Sequence, residues 1–158
     1  MKKVILILLA LSCIGLSNTY AQKKKKKRRA AETTKVVTTA KAYIGTPYRY
    51  GGTTRKGIDC SALIQNSFSK AGYKVPRTSK EQSKYGKNVG WKKVKEGDLV
   101  FFKFKKKGKK WNHSGLITKV DGKNIRFIHA SSSKGVVESN LMVDYYKDNV
   151  IGFRRVIQ

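Results

Sequence analysis

From Thr33 onward the apolar residues Val36, Val37, Ala40, Tyr43 and Ile44 recur at three- and four-residue spacing. That spacing predicts an amphipathic helix, which Gly45-Thr46-Pro47 brings to an end. A loop rich in glycine and aromatic residues, GTPYRYGGTTRKGID, follows. Leu63, Ile64, Phe68 and Ala71 then mark a second helix that Gly72 can terminate. Asp59 and Ser61 are both suitable N-cap residues for it, so Cys60 falls at or beside a helix start. Thr78-Ser79-Lys80-Glu81 has capping-box spacing and predicts a third helix, reaching about Tyr85. Beyond Asp98 the pattern becomes extended and β-rich, with strands expected over 98–104, 113–120, 124–130, 135–138 and 150–157. Asp121-Gly122, lying between two of these runs, signals a tight hairpin. A short helix from about Asn140 to Lys147 precedes the last strand. Helices first and an antiparallel meander second give an α+β layout.

The segment before Thr33 is of another kind. Residues 1–21 combine a basic start, an apolar run from Val4 to about Ile14 and a polar end at Thr19-Tyr20-Ala21, the pattern of a cleaved export signal. Cys13 could be a lipid-modified residue only in a signal with a leucine-like residue three places earlier, where Ala10 stands. Residues 22–32, QKKKKKRRAAE, are expected to form a disordered cationic arm, since like charges repel and little apolar surface is available. The arm reads either as a solubilising tail or as an electrostatic tether to anionic wall or surface polymers. One compact domain, residues 33–158, accounts for the remainder.

Charge narrows the setting. The chain carries 36 Lys and Arg against 9 Asp and Glu, a net +27, and loss of residues 1–21 removes only Lys2 and Lys3 from that total. Such a surface suits a polyanionic environment but specifies no fold. Specific nucleic-acid recognition is not expected, because charge alone is not readout. The lysine-rich stretch FKKKGKKWN, residues 104–112, reads as a basic hairpin tip.

Candidate chemistry centres on three residues. Loss of the leader leaves Cys60 as the one cysteine, which excludes an intramolecular disulfide framework and flags either a reactive thiol or an intermolecular bridge. A thiol becomes a good nucleophile in a positive field, part of it from a helix N-terminus and part from an adjacent imidazolium. The chain has just two histidines, His113 and His129. They stand nearly equidistant from the Asp121-Gly122 turn, so they are expected side by side on neighbouring strands unless a bulge intervenes. This is the arrangement of a thiol, a base and an orienting residue. One cysteine and two histidines lack the close-paired spacing of a structural zinc site.

Taken together, the segments GTPYRYGG (45–52), DCSALIQNSF (59–68), VPRTSKEQ (75–82), EGDLVFF (96–102), HSGLI (113–117), FIHASSSKGV (127–136) and GFRRV (152–156) resemble, in order, the NlpC family of cell-wall cysteine peptidases. The resemblance implies a papain-like α+β fold with the nucleophile at a helix start, packed on a small antiparallel sheet. It implies Cys60 as nucleophile, His113 as general base and later acid, and His129 as the third, orienting residue. It further implies Tyr48 lining the cleft and assisting the oxyanion, Asp59 and Ser61 contacting the free amino end of the substrate, and Arg77 near the cleft. The expected activity is hydrolysis of peptidoglycan stem peptides at the bond between γ-D-glutamate and the following diamino acid, by an exported monomer. A catalytically silent cationic wall-binding module is the alternative. No metal or organic cofactor is implied. The sequence departs from the family pattern at Ala62, usually glycine, and at Ser114, where His-Val-Gly is more usual.

Overall fold

The computed structural model describes residues 2–106 and 109–158, with side chains described for 19–105 and 112–158. The expected leader, 1–21, and the tip of the basic hairpin therefore lie largely outside the described side chains. Helix α1 spans Lys2–Lys41. It passes through residues 22–32, which corrects the expectation of a disordered arm there. Lysine, arginine, glutamine and alanine are all good helix formers, and Arg28 pairs with Glu32 one turn later at 3.5 Å. Among the described residues no helix is long and apolar enough to cross a membrane.

Residues Thr33–Gln158 make up a separate compact unit. It contains a two-residue ribbon, β1 (Thr53–Thr54) with β2 (Gly57–Ile58), then α2 (Cys60–Lys70) and α3 (Ser79–Gln82). Strands β3 (Lys87–Val89), β4 (Leu99–Lys106), β5 (Lys109–Asp121), β6 (Asn124–Ser131), β7 (Gly135–Asn140) and β8 (Val150–Arg155) follow, with the short α4 (Asp144–Lys147) before β8. The sheet is antiparallel in the order β3-β8-β4-β5-β6-β7. The edge strand β3 went unpredicted because Lys-Asn-Val is too short and polar to show an alternation.

The sheet is buried on both faces, which explains the unbroken apolar run Leu99-Val100-Phe101-Phe102. Successive side chains of a strand point to opposite sides. Leu99, Phe101, Leu116, Ile128 and Ala130 pack with Ala62, Leu63, Ile64 and Phe68 of α2 and with Val36, Val37 and Ala40 of α1. Val100, Phe102, Phe104, Ile117 and Phe127 form a second cluster with Leu141 and Phe153. Ile44, expected to share the buried stripe of the first helix, lies just past its end and is exposed. β4 and β5 remain paired out to Lys106 and Lys109, so strand structure runs into the segment read as a basic tip.

Two loops are tied together by main-chain bonds. The Gly45 N–H donates to Val136 O at 3.0 Å, and the Val136 N–H donates to Thr46 O at 2.9 Å. Gly135 makes this approach feasible: its φ is +69°, and a Cβ there would lie 2.4 Å from Thr46 O.

Candidate active site

Helix α2 is capped by Asp59, whose side chain accepts a hydrogen bond from the Ala62 N–H at 2.8 Å. The same carboxylate accepts from the Ser61 hydroxyl at 3.0 Å and from the Gly51 N–H at 3.1 Å. Arg77 grips it bidentately, with Nη2 at 2.7 Å from Oδ2 and Nη1 at 3.0 Å from Oδ1, and Nη1 also reaches Ser61 Oγ at 2.8 Å. Burial by itself would raise the pKa of Asp59, but the bonds from Arg77, Ala62 and Ser61 and the guanidinium charge outweigh it and hold the carboxyl ionised below its usual range. Gln82, fully buried on α3, donates to Ser61 O and Pro76 O at 2.9 and 2.8 Å and so fastens the segment carrying Arg77 to the helix start.

Cys60 is the first residue of α2 and is unbridged. Burial pushes its thiol pKa up, and the Asp59 charge adds to this. The nearby Ser114 and the Ser61 N–H offset only part of the shift.

His113 and His129 come from β5 and β6. β5 contains the bulge that the sequence could not exclude: the register shifts between Ile117 and Lys119. Continuing the Leu116–Ile128 pairing by one residue sets Gly115, rather than His113, opposite His129. The histidines meet diagonally instead, with His113 Nε2 at 2.8 Å from His129 Nδ1 and the rings at 84°. Gly115 leaves the necessary space, since a Cβ there would lie 2.6 Å from the Phe127 ring. That ring in turn stacks on His129 with centroids 4.7 Å apart. The far nitrogen of His129, Nε2, lies 3.0 Å from Ser139 Oγ and 3.4 Å from the Tyr146 hydroxyl.

Burial lowers the pKa of His113 to about 4. Burial, and then the proximity of His113, lower that of His129 to about 3. Both rings are therefore neutral near pH 7. With the Cys60 pKa raised, the resting thiol and imidazole form a neutral pair, where the sequence reading expected an imidazolium beside a thiolate.

Cys60, His113, His129 and Tyr48 border one cleft of about 840 Å³. Burial, followed by the charges of Cys60, Asp59 and Tyr50, raises the pKa of Tyr48, so it stays a neutral phenol at the mouth. Asp59, Ser61 and Arg77 are brought together with one another at the helix start, but they do not line this cleft. Sequence reasoning missed Ser139 and Tyr146. Ser139 lies one residue beyond the strand expected at 135–138 and pairs with Phe127, so it reaches His129 diagonally and counting paired positions would have pointed to Val137 instead. Among the described residues no group of three His, Cys, Asp or Glu is arranged to hold a metal.

A thiol at a helix start, set against an antiparallel sheet that supplies paired imidazoles, defines the papain-like α+β class. A model of the NlpC/P60 family matches residues 45–155, and the chain belongs to that family. It is 40% identical over 116 residues to a probable endopeptidase NlpC homolog of Haemophilus influenzae, covering 73% of this chain and 58% of that protein. It is 39% identical over 122 residues to the gamma-DL-glutamyl hydrolase of Bacillus subtilis, covering 76% of this chain and 28% of that one. A crystal structure of an NlpC/P60 family protein from Bacillus cereus superposes with a TM-score of 0.70 at 29% identity, covering 80% of this chain and 40% of the other. The chain thus spans little more than half the length of the first of these relatives, and less of the others.

Proposed function

We propose that this protein is an exported cysteine endopeptidase that hydrolyses peptidoglycan stem peptides between γ-D-glutamate and the following diamino acid, through Cys60, His113 and His129. The observation that carries this reading is the Cys60 thiol bordering the same cleft as the 2.8 Å His113–His129 pair. Family membership supports the reaction class, and the gamma-DL-glutamyl hydrolase relative supports the choice of bond.

Because Nε2 of His113 faces His129, Nδ1 is the nitrogen left to serve the thiol. As the Cys60 sulfur attacks the amide carbon, Nδ1 accepts the thiol proton, so no free thiolate need accumulate. The Nε2–H of His113 donates to His129 Nδ1, and the His129 Nε2–H donates to Ser139 Oγ, which fixes the direction of the chain. Main-chain N–H groups at the start of α2, with the Tyr48 phenol, stabilise the oxyanion. His113 then protonates the departing amine, a thioester remains on Cys60, and water activated by the same ring hydrolyses it. Asp59, Ser61 and Arg77 position the helix start, and the free amino end of the stem peptide approaches this polar cap. Residues 1–21 direct export, and the basic segment 22–32 holds the enzyme near anionic wall polymer.

Incubation of the protein with muropeptides, followed by mass spectrometry, tests the assignment. The wild type releases fragments with a new amino terminus on the diamino acid, and Cys60→Ala releases none. Equal product from both would reduce the protein to a wall-binding module, and cleavage confined to other bonds would overturn the bond assignment.

A further inference from the structure

Among the described residues that line the cleft, only Lys134 and Glu138 are formally charged, since His113 and His129 are neutral near pH 7. Glu138 is already satisfied: Oε1 accepts from the Thr118 hydroxyl at 2.6 Å and lies 3.5 Å from Lys41, while Oε2 lies 3.6 Å from Arg126. Those partners hold its carboxyl below the usual range against the effect of burial. Lys134 is exposed and has no acidic partner within 4.0 Å among the described residues, which leaves its ammonium as an uncompensated charge of the cleft.

Its neighbours suit the same ligand. Ser131, Ser132 and Ser133 line the cleft in succession, with Ser131 Oγ and Ser133 Oγ 3.3 Å apart. Three hydroxyls that can each donate and an ammonium stand on one turn, a set that fits a carboxylate. The turn is also held in place. Gly135 and Val136, directly after Lys134, are tied by main-chain bonds to the loop that leads to Tyr48. The backbone that carries the cation therefore keeps a fixed station relative to the opposite wall.

We propose that Lys134 and the hydroxyls of Ser131–Ser133 form a subsite for the free α-carboxylate of the glutamyl residue whose γ-carboxyl is being cleaved. The inference rests on the γ-glutamyl reading of the reaction. A glutamate joined through its side chain keeps its α-carboxyl ionised, whereas the amidated residue presents a neutral group at the same point. The subsite therefore selects the free acid over the amide.

The test compares two stem peptides that differ only in this carboxyl or carboxamide. Wild type is expected to cleave the free acid with kcat/KM about tenfold above the amide, a single charge-assisted contact at a partly open site. Lys134→Gln lowers kcat/KM for the acid about tenfold and leaves the amide unchanged, so the preference disappears, and Lys134→Arg restores it. Equal wild-type rates on the two peptides, or a preference that survives in Lys134→Gln, overturns the subsite. Binding of the same peptides to Cys60→Ala and to Cys60→Ala/Lys134→Gln separates this result from the catalytic one. Loss of carboxylate discrimination in the double variant supports the subsite even if wild type cuts another bond, and unchanged discrimination refutes it even if the γ-glutamyl bond is cut.

Discussion

Two polar networks meet at Cys60, and they are built on opposite plans. On the helix side Asp59, Arg77 and Ser61 form an ionic cluster in which each charge has its counterpart and the carboxylate accepts five hydrogen bonds. On the sheet side His113, His129 and Ser139 form a chain without formal charge, aligned end to end among Phe102, Phe127 and Tyr146. The ionic cluster is saturated, so it can fix the position of the helix start but has no proton to exchange. In the proposed tautomer the neutral chain leaves one lone pair open, on His113 Nδ1, to receive a proton. Structure and reactivity are thus divided between the two sides of one cysteine.

The most severe way to break this division is to remove the open lone pair. His113→Ala is expected to lower kcat by about 10⁴-fold while Cys60→Ala and His113→Ala/Cys60→Ala fall to the same floor, since residues acting as a unit are not additive. Single-turnover assays on a muropeptide measure this. Next comes the ionic side: Arg77→Ala leaves the Asp59 charge without its main partner. Full burial would make that cost about 3–5 kcal/mol. The Arg77 side chain is 35% exposed, so solvent screening brings the expectation to about 2 kcal/mol, read as a loss in urea-unfolding stability. Asp59→Asn/Arg77→Gln, which removes both charges, should recover part of it.

A smaller effect is expected at the end of the neutral chain. Ser139→Ala removes the acceptor that selects the Nε2–H form of His129 and lowers kcat about tenfold with KM unchanged, and Ser139→Thr restores it. Equal loss in the Thr variant would show a packing role instead. The gentlest probe is pH. His113 must be neutral to accept a proton, so activity is expected to fall as pH drops through about 4. Stability shifts the same way: unfolded histidine, with its ordinary pKa near 6.5, binds more protons than the buried rings, so the contribution is full above that value and is lost as pH falls toward 4. Thiol alkylation followed against pH should reach its midpoint above the ordinary cysteine range, because burial raises the pKa of Cys60. A midpoint below it would mean a stored thiolate.

Much of this was legible from the chain. The spacing of Leu63, Ile64 and Phe68 located α2, the cap at Asp59 set Cys60 at its start, and the Asp121-Gly122 turn brought the two histidine strands together. What escaped depended on distance along the sequence. The hairpin closes between Asp121 and Asn124, so its centre lies beyond Asp121, the point about which the histidines are symmetric, and the bulge near Thr118 shifts the register back by one residue without leaving any trace in the hydrophobic pattern. Arg77 lies 18 residues from Asp59, and no periodicity connects them. Charge density hid the helix over residues 22–32, because repulsion between lysines is conspicuous in a sequence and their helix propensity is not. Protonation was the least legible of all: the neutral state of His113 comes from burial among rings contributed by β4 and β6.

The pair of main-chain bonds between Gly45, Thr46 and Val136 also governs how this cleft can evolve. Since they join backbone to backbone, the span of the mouth is independent of the side chains that decorate it. Ser132 and Lys134, on the turn that lines the cleft, can be exchanged for others, retuning which ligands are accepted while the jaw keeps its gape. Gly135 is the exception, where any side chain would act as a wedge between the walls and loosen every specificity built across them at once.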